Sequence, residues 1–336
     1  MSDFKAIILA GGSGERFWPL STPEKPKQFL RVFGGDSLIR QSVTRLRGLV
    51  KPSDVYVVTS AALVAATRRE LPEVPKANIL GEPMRRDTGA AVALGVGAAV
   101  RTGWDAGSSG RADCVLGFFP SDQLATDPVK FRKAVRTAIA RAKRTKAVVT
   151  IGIKPEYPAT QFGYVDPKSG TFVEKPNARK AKTYLKKGFL WNAGMFIGCA
   201  ETFKAAFAAH APELLPLLAS RVSTLKSCYE SLPRISFDYA VMEKLRRVEV
   251  VKGDFGWDDV GSYGAFDKYF PHDSRGNVRE GPCTVVEADG NICVARSARI
   301  SLLGVKNLVV VTTPNAVLVA DKGRVAEMKK LFARQR

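Results

Sequence analysis

Apolar and polar positions follow two rhythms along the chain. Short apolar runs rich in β-branched residues stand at Ala6–Leu9, Val55–Val58, Val115–Phe119 and Val148–Ile153. Between them, Ser37–Arg47, Ala61–Leu71, Thr88–Arg101 and Pro128–Arg144 read as helices. Strands alternating with helices predict an α/β fold on a doubly wound, mainly parallel, Rossmann-like sheet. Ligands of such sheets gather beyond the carboxyl ends of the strands, so the residues after each strand are the first candidates for chemistry. From Phe162 the pattern is mixed: hairpin-like Phe162–Asp166 and Thr171–Glu174 precede several short helices up to about Tyr269, an elaboration of the same sheet. After Pro271 come short β-rich runs at Thr284–Glu287, Ile292–Ala295, Leu308–Val311 and Ala316–Ala320, separated by Gly, Asn or Pro, and then a basic helix-like tail, Arg324–Arg336. The expected division is a main domain over 1–270 and a small C-terminal β domain over 271–336, whose runs keep no clean period.

Composition narrows the class. The chain has 336 residues, 45% of them hydrophobic, enough for one large core or two unequal ones. The apolar stretch Thr88–Val100, bounded by Asp87 and Arg101, is too short to span a bilayer, so no membrane segment is expected. Met1–Lys5 leads straight into a strand without the features of a secretory signal, which points to the cytoplasm. Five scattered cysteines, none paired as C-x-x-C, read as reduced thiols and indicate neither a disulfide framework nor a zinc site. The net charge of +20 favours anionic partners such as nucleotides, phosphates or nucleic acid. Its basic runs, Arg132–Lys146 and Arg179–Lys187, lie in helix-like segments without interleaved aromatics, and read as solvated faces before they read as a nucleic-acid surface.

The first strand enters Ala10-Gly11-Gly12-Ser13-Gly14-Glu15-Arg16-Phe17. Glycines there permit positive φ and let backbone N–H groups approach a polyphosphate, and Arg16 adds a fixed cation. Phe17 stands where a dinucleotide fingerprint needs its third glycine, and no Gly-Lys dipeptide exists to make a Walker A loop. A glycine-rich turn is as often structural as functional. The balance is tipped by Pro23-Glu24-Lys25-Pro26-Lys27-Gln28-Phe29, a proline-stiffened segment with two lysines.

Leu9 to Leu30 together, a strand followed by L-A-G-G-x-G-x-R, a W-P-L step and P-K-Q-F-L, resemble the signature of sugar nucleotidyltransferases in the bacterial mannose-1-phosphate guanylyltransferase style. The resemblance implies that Leu9, Gly11, Gly12 and Gly14 bind nucleotide and that Arg16 and Lys27 contact the triphosphate and the reacting phosphates. Lys25 is an extra cation for which helix-end solvation is an equal reading. Glu82-Pro83-Met84-Arg85-Arg86-Asp87-Thr88 can simply cap the following helix through Asp87 and Thr88. It is also similar to the family's E-P-x-x-R-(N/D)-T-A-P-A segment, which implies that Glu82, Pro83, Arg86, Asp87 and Thr88 lie over the base. Gly89-Ala90 stand here where many members have Ala-Pro.

Pro120-Ser121-Asp122-Gln123 puts Asp122 at a strand tip, where a carboxylate is either a turn former or a metal ligand. Nucleotidyl transfer between anions needs charge neutralised on the α-phosphate and on the departing pyrophosphate, which a carboxylate-held Mg²⁺ provides. The family's P-(A/S)-D-(H/Q) motif matches and implies that Asp122 binds the metal. Its G-W-x-D-(V/L)-G segment matches Gly256–Gly261 and implies Asp259 as second ligand, with Asp258 a surface neighbour. Phe162-Gly163-Tyr164, Val173-Glu174-Lys175-Pro176 and Trp191-Asn192-Ala193-Gly194 mix carboxylate, amide and ammonium groups with aromatic walls, which suits a sugar phosphate. A strand end and a buried strand are the plain alternatives. The resemblance implies Glu174 and Asn192 on hydroxyls, Lys175 near the phosphate, and Gly163, Tyr164 and Gly194 in the same pocket.

Leu303–Val311 and Pro314–Val319 extend the resemblance to the tail, which implies a short left-handed β-helix, and it covers nearly the whole chain. The implied activity is Mg²⁺-dependent transfer of GMP from GTP to mannose 1-phosphate, giving GDP-mannose and pyrophosphate, with no nucleic-acid partner and a homodimer as one compatible assembly. The competing expectations are another pair, UTP or dTTP with glucose 1-phosphate, a non-catalytic sugar-nucleotide-binding regulator, and a nucleic-acid-binding protein.

Overall fold

The computed structural model describes residues 4–12, 14–104, 114–219, 225–328 and 330–331. Ser13 of the glycine-rich turn, residues 1–3 and 332–336 at the ends of the chain lie outside the described residues. The strands up to residue 258 are β1 (Phe4–Ala10), β2 (Val55–Ser60), β3 (Ile79–Glu82), β4 (Val115–Pro120), β5 (Leu124–Ala125), β6 (Val149–Ile153), β7 (Tyr164–Val165), β8 (Phe172–Val173), β9 (Leu190–Cys199), β10 (Glu249–Gly253) and β11 (Trp257–Asp258). The helices are α1 (Leu38–Thr44), α2 (Val64–Glu70), α3 (Asp87–Trp104), α4 (Pro128–Thr145), α5 (Ala178–Lys187), α6 (Ala200–His210), α7 (Pro216–Ala219), α8 (Leu225–Glu230), α9 (Phe237–Ala240) and α10 (Gly264–Tyr269).

The chain packs as two compact units, each assembled from separate stretches. Met1–Gly11, Ile39–Ser121 and Ala125–Trp257 make the first; Gly12–Leu38, Asp122–Leu124 and Asp258–Arg336 make the second. The β-rich tail shares its unit with the loop after β1, with Asp122 and with α10. A chain can leave one core and return to it, and no linker composition marks such a crossing.

In the first unit one sheet runs β10-β6-β9-β4-β1-β2-β3. β1 is parallel to β2 and β4, β2 to β3, and β6 to β10. β9 runs antiparallel between β4 and β6, and the hairpin β7–β8 pairs onto it. The mixed region after Phe162 is thus an extension of the same sheet, as its pattern implies. α3 is buried from Ala90 to Ala99, which accounts for its uninterrupted apolar sequence. α4 starts at Pro128 with the Asp127 carboxylate accepting from the Val129 and Lys130 amides, and buries Phe131, Ala134, Val135, Ala138 and Ala142 along one stripe. Most of the basic residues of α4 and α5 face solvent.

The core of the second unit gathers Phe17, Phe33, Tyr263 and Phe266 with Val278, Ile292, Val294, Val309 and Val311. Its strands are β12 (Val278–Glu280), β13 (Cys283–Val286), β14 (Ile292–Ala295), β15 (Ile300–Leu303), β16 (Leu308–Thr313) and β17 (Ala316–Asp321). Val278 aligns with Ile292 and Ile292 with Val309 in parallel rungs, at unequal steps along the chain, which is why no period shows in the sequence. Buried Asn277 and Asn291 stitch the turns: the Asn277 side chain accepts from the Asn291 amide, and Asn291 accepts from the Leu308 amide, each at 2.9 Å. The tail read as helical begins instead as a short 3₁₀ turn, Lys322–Glu327.

Candidate active site

Phe17, at the failed third-glycine position, is a fully buried anchor. Its ring meets Phe33 at 6.4 Å and Tyr263 at 5.4 Å between centroids, and the Tyr263 hydroxyl donates to its carbonyl at 2.9 Å. That anchor fixes Gly14, Glu15 and Arg16 at the wall of a cavity of about 180 Å³, which Lys27, Asp122, Asp259 and Gly261 also line. Gly14 adopts φ 64°, and a Cβ there would stand 2.3 Å from the Lys27 amide nitrogen. The glycine thus lets the loop lie directly on the lysine segment. Gly12, by contrast, is exposed with open space around it.

Lys27 is buried, and its ammonium donates to Asp122 Oδ2 at 3.1 Å and to the Asp259 carbonyl at 2.7 Å. The Asp122 side chain remains 37% exposed and open to a ligand. Burial raises the Asp259 carboxyl above its ordinary range; Lys27 and Arg16 oppose the shift, while Asp122 and Asp258 add to it. Gly261 lies against both charges: a Cβ would sit 3.1 Å from Asp259 Oδ2 and 3.7 Å from an Arg16 guanidinium nitrogen. Asp258 is not the surface residue expected. It accepts from the Val260 amide at 2.7 Å and, at 3.0 Å each, from the Lys268 ammonium and Tyr269 hydroxyl. Those bonds clamp a turn in which Val260 is held at φ 40°, and so they present Asp259. Lys25 sits in an exposed turn, its amide bonded to Thr22, and lines a different groove.

Two neighbouring carboxylates with space beside them suit a hard divalent cation such as Mg²⁺, which completes its shell with water and substrate phosphates. Among the described residues no cluster of three or more His, Cys, Asp or Glu is arranged to hold a metal alone. The donor set therefore fits a metal shared with a phosphorylated ligand.

In the first unit, half-buried Leu9 precedes Gly11, whose added Cβ would lie 3.4 Å from Glu82 Oε2. Glu82 is buried at the tip of β3 and accepts from the Tyr229 hydroxyl at 3.1 Å. Burial pushes its carboxyl up to about 7, against the Tyr229 bond and with help from Asp87. Arg86 is committed to structure: its guanidinium donates to the carbonyls of Tyr229 (2.7 Å) and Glu230 (2.8 Å). Half-buried Pro83 follows Glu82. Asp87, at φ 64°, accepts from the Thr88 amide, and Thr88 Oγ1 accepts from the Phe237 amide at 2.9 Å. Gly89 donates to the Ile235 carbonyl at 3.0 Å, and a Cβ there would come within 2.7 Å of that oxygen. The departure from Ala-Pro at 89–90 thus matches a segment, 235–237, that lies hard against the start of α3.

The third group is also in the first unit. Gly163 accepts from the Asn192 amide at 2.8 Å, and any Cβ at 163 would stand 2.5 Å from Glu174 Oε2. Glu174 pairs through Oε1 with the Lys175 ammonium at 2.8 Å, while its buried Oε2 has no partner among the described residues. The Tyr164 ring is core, its hydroxyl donating to the Ala159 carbonyl at 2.9 Å, so the tyrosine acts by holding Gly163. A register shift between β6 and β9, with Gly194 at φ 69°, turns Asn192 toward Asp238. Asp238 and Glu243, which accepts from the Glu174 amide at 3.2 Å, carry no motif in the sequence. Ser236 caps α9 just before Asp238, its side chain accepting from the Tyr239 amide.

A family model described as nucleotidyl transferase matches residues 5–275, and one described as MannoseP isomerase/GMP-like beta-helix domain matches 281–334. The chain is 33% identical to a mannose-1-phosphate guanylyltransferase of Escherichia coli strain K12, over 97% of this chain and 72% of that protein. It is 35% identical to the xanthan biosynthesis protein XanB of Xanthomonas campestris pv. campestris strain B100, over 99% of this chain and 73% of the other. The crystal structure of a mannose-1-phosphate geranyltransferase from Thermus thermophilus superposes with a TM-score of 0.87 at 34% identity, covering 99% of both chains.

Proposed function

We propose, for a chain that belongs to the nucleotidyl transferase family and within it to the mannose-1-phosphate guanylyltransferases, that it transfers GMP from GTP to α-D-mannose 1-phosphate. The products are GDP-mannose and pyrophosphate. The observation that carries the reading is the cavity in which Arg16 and Lys27 stand beside Asp122 and Asp259, two cations and two carboxylates around space for a phosphate group. A phosphate oxygen of the sugar phosphate attacks the α-phosphorus in line; the new P–O bond forms as the bond to the β-phosphate oxygen breaks, and pyrophosphate leaves with the electron pair. The nucleophile is already an anion, so no general base is required. Arg16 and Lys27 hold phosphate oxygens and offset the charge that builds during transfer, and the loop glycines offer backbone amides to the triphosphate. Asp122 and Asp259 would hold Mg²⁺, which supplies charge neutralisation on the phosphates when bound. Glu82 at the tip of β3 is suited to accept N–H groups of the base, and the Glu174 cluster to accept sugar hydroxyls.

Pyrophosphate release from GTP, mannose 1-phosphate and Mg²⁺, scored against UTP and dTTP with glucose 1-phosphate, tests the pair. GTP with mannose 1-phosphate is expected to be fastest, and a chelator to abolish turnover. Alanine at Arg16, Lys27 or Asp122 should lower turnover by roughly 10²-fold, the scale of losing one charge-stabilising group. Near-normal turnover in all three variants would overturn the assignment.

A further inference from the structure

Asn192 is buried, and its side chain is bonded within its own fold. Its Oδ1 accepts from the Thr150 hydroxyl at 2.7 Å and from the Gly194 amide at 3.1 Å. A backbone amide only donates, so the atom facing Gly194 is the oxygen, and the nitrogen is the atom 2.8 Å from Asp238 Oδ1. Both lone pairs of the amide oxygen are therefore used within the protein, and Asn192 has no acceptor left for a sugar hydroxyl. Its free chemistry has been passed to a carboxylate.

We infer that Asp238 is a specificity-determining acceptor for hexose hydroxyls, acting together with Glu174 and oriented by Asn192. The inference rests on the proposed hexose 1-phosphate reaction and deepens it. Asp238 is set by rigid neighbours: Ser236 caps α9, and the Phe237 ring is buried against Phe196, Phe203 and Phe207 at 5.0, 6.0 and 5.6 Å. Glu174 is held by Gly163 and Lys175, with its Oε2 buried and unpartnered among the described residues. Leaving such an oxygen unbonded is costly, and a donor from a ligand removes the cost.

The charge around the pair selects the kind of donor. Burial, and next the Glu174 charge, push Asp238 up to about 7; Glu174 is raised by burial too, with Glu243 and Asp87 adding to the shift. The Lys175 ammonium opposes both shifts, and Tyr239 faces it. A phosphate placed directly on this pair would be repelled. A neutral ring carrying several hydroxyls supplies donors without adding negative charge, so the sugar ring is the part of the substrate that belongs here, with its phosphate toward Lys175.

The test compares wild type, Asp238→Ala, Asp238→Asn and Asn192→Ala by steady-state kinetics with GTP and either mannose 1-phosphate or its 2-, 3-, 4- and 6-deoxy analogues. Asp238→Ala should raise KM for mannose 1-phosphate by about tenfold or more, the scale of one hydrogen bond to a charged group, and leave KM for GTP unchanged. A deoxy analogue that wild type uses poorly should be used by Asp238→Ala as well as its parent, because the acceptor for the missing hydroxyl is gone. Asn192→Ala should lose the same discrimination, and a variant that combines Asp238→Ala with Asn192→Ala should cost less than the two effects combined. Asp238→Asn, which keeps shape and one acceptor, is expected to fall between. Full discrimination among the analogues in a folded Asp238→Ala overturns the inference, as does an unchanged KM for mannose 1-phosphate. Absence of turnover by wild type with any nucleotide and hexose phosphate would instead sink the reaction on which the inference stands.

Discussion

Lys27 joins two stretches of the second unit that are distant in sequence, since one ammonium bonds both Asp122 and the Asp259 carbonyl. The residue types at this site were legible: glycines, an arginine, a lysine and two aspartates in motifs. Their division of labour was not. Gly14 could have been a site for amide approach alone, yet it is also the residue that lets the loop touch the Lys27 backbone. Gly14→Ala is therefore expected to destabilise by about 1–3 kcal/mol through the left-handed φ and the clash, and to lower turnover, whereas Gly12→Ala should leave the denaturation midpoint unchanged. Urea unfolding with pyrophosphate release on the same preparations checks both. Arg86, Tyr164 and Asn192 teach a related lesson. Each lies in a family-like stretch, but each side chain is used on the fold, on carbonyls 229–230, on carbonyl 159 and on Thr150, Gly194 and Asp238.

At the scale of elements, β1, β2, β4, α3 and α4 could be read within a residue or a few of their ends because local rules decide them. α4 is the clearest case: Asp127 and Pro128 start it, and an apolar stripe carries it. Asp127→Ala should cost about 1 kcal/mol of stability, the worth of an N-cap, with little effect on KM for either substrate; a thermal melt and the same kinetic assay measure it. β12 and β15 left less trace, because strands of three or four residues are held by the rungs beside them and not by their own propensity. The Asn277–Asn291 ladder that stitches those rungs reads in sequence as ordinary turn asparagines.

For the whole molecule, 52 basic against 32 acidic residues favour anionic partners without choosing among them. Buried acids set a pH dependence that composition conceals. Glu82 and Asp238, both pushed up to about 7 mainly by burial, keep protons in the folded chain that the unfolded chain releases near pH 4. Their contribution to stability is complete below about pH 4 and is lost as pH rises through about 7. The urea midpoint of the ligand-free protein should accordingly decline between pH 5 and 8, and decline less in a Glu82→Gln/Asp238→Asn variant; equal slopes would count against these shifts. The sequence by itself determined the strand and helix rhythm, the sheet class, the glycine-rich turn after the first strand and the carboxylates at their motifs, since all of these depend on neighbours within a few positions. Tertiary structure alone decided that stretches 12–38 and 122–124 pack with the tail, that Asp258 clamps the turn presenting Asp259, and that Asp238 accepts from the Asn192 side chain. These pairings span long separations, where the partner of a hydrogen bond is chosen by which backbones the folded core brings within 3 Å or so of each other, and no local pattern records that choice.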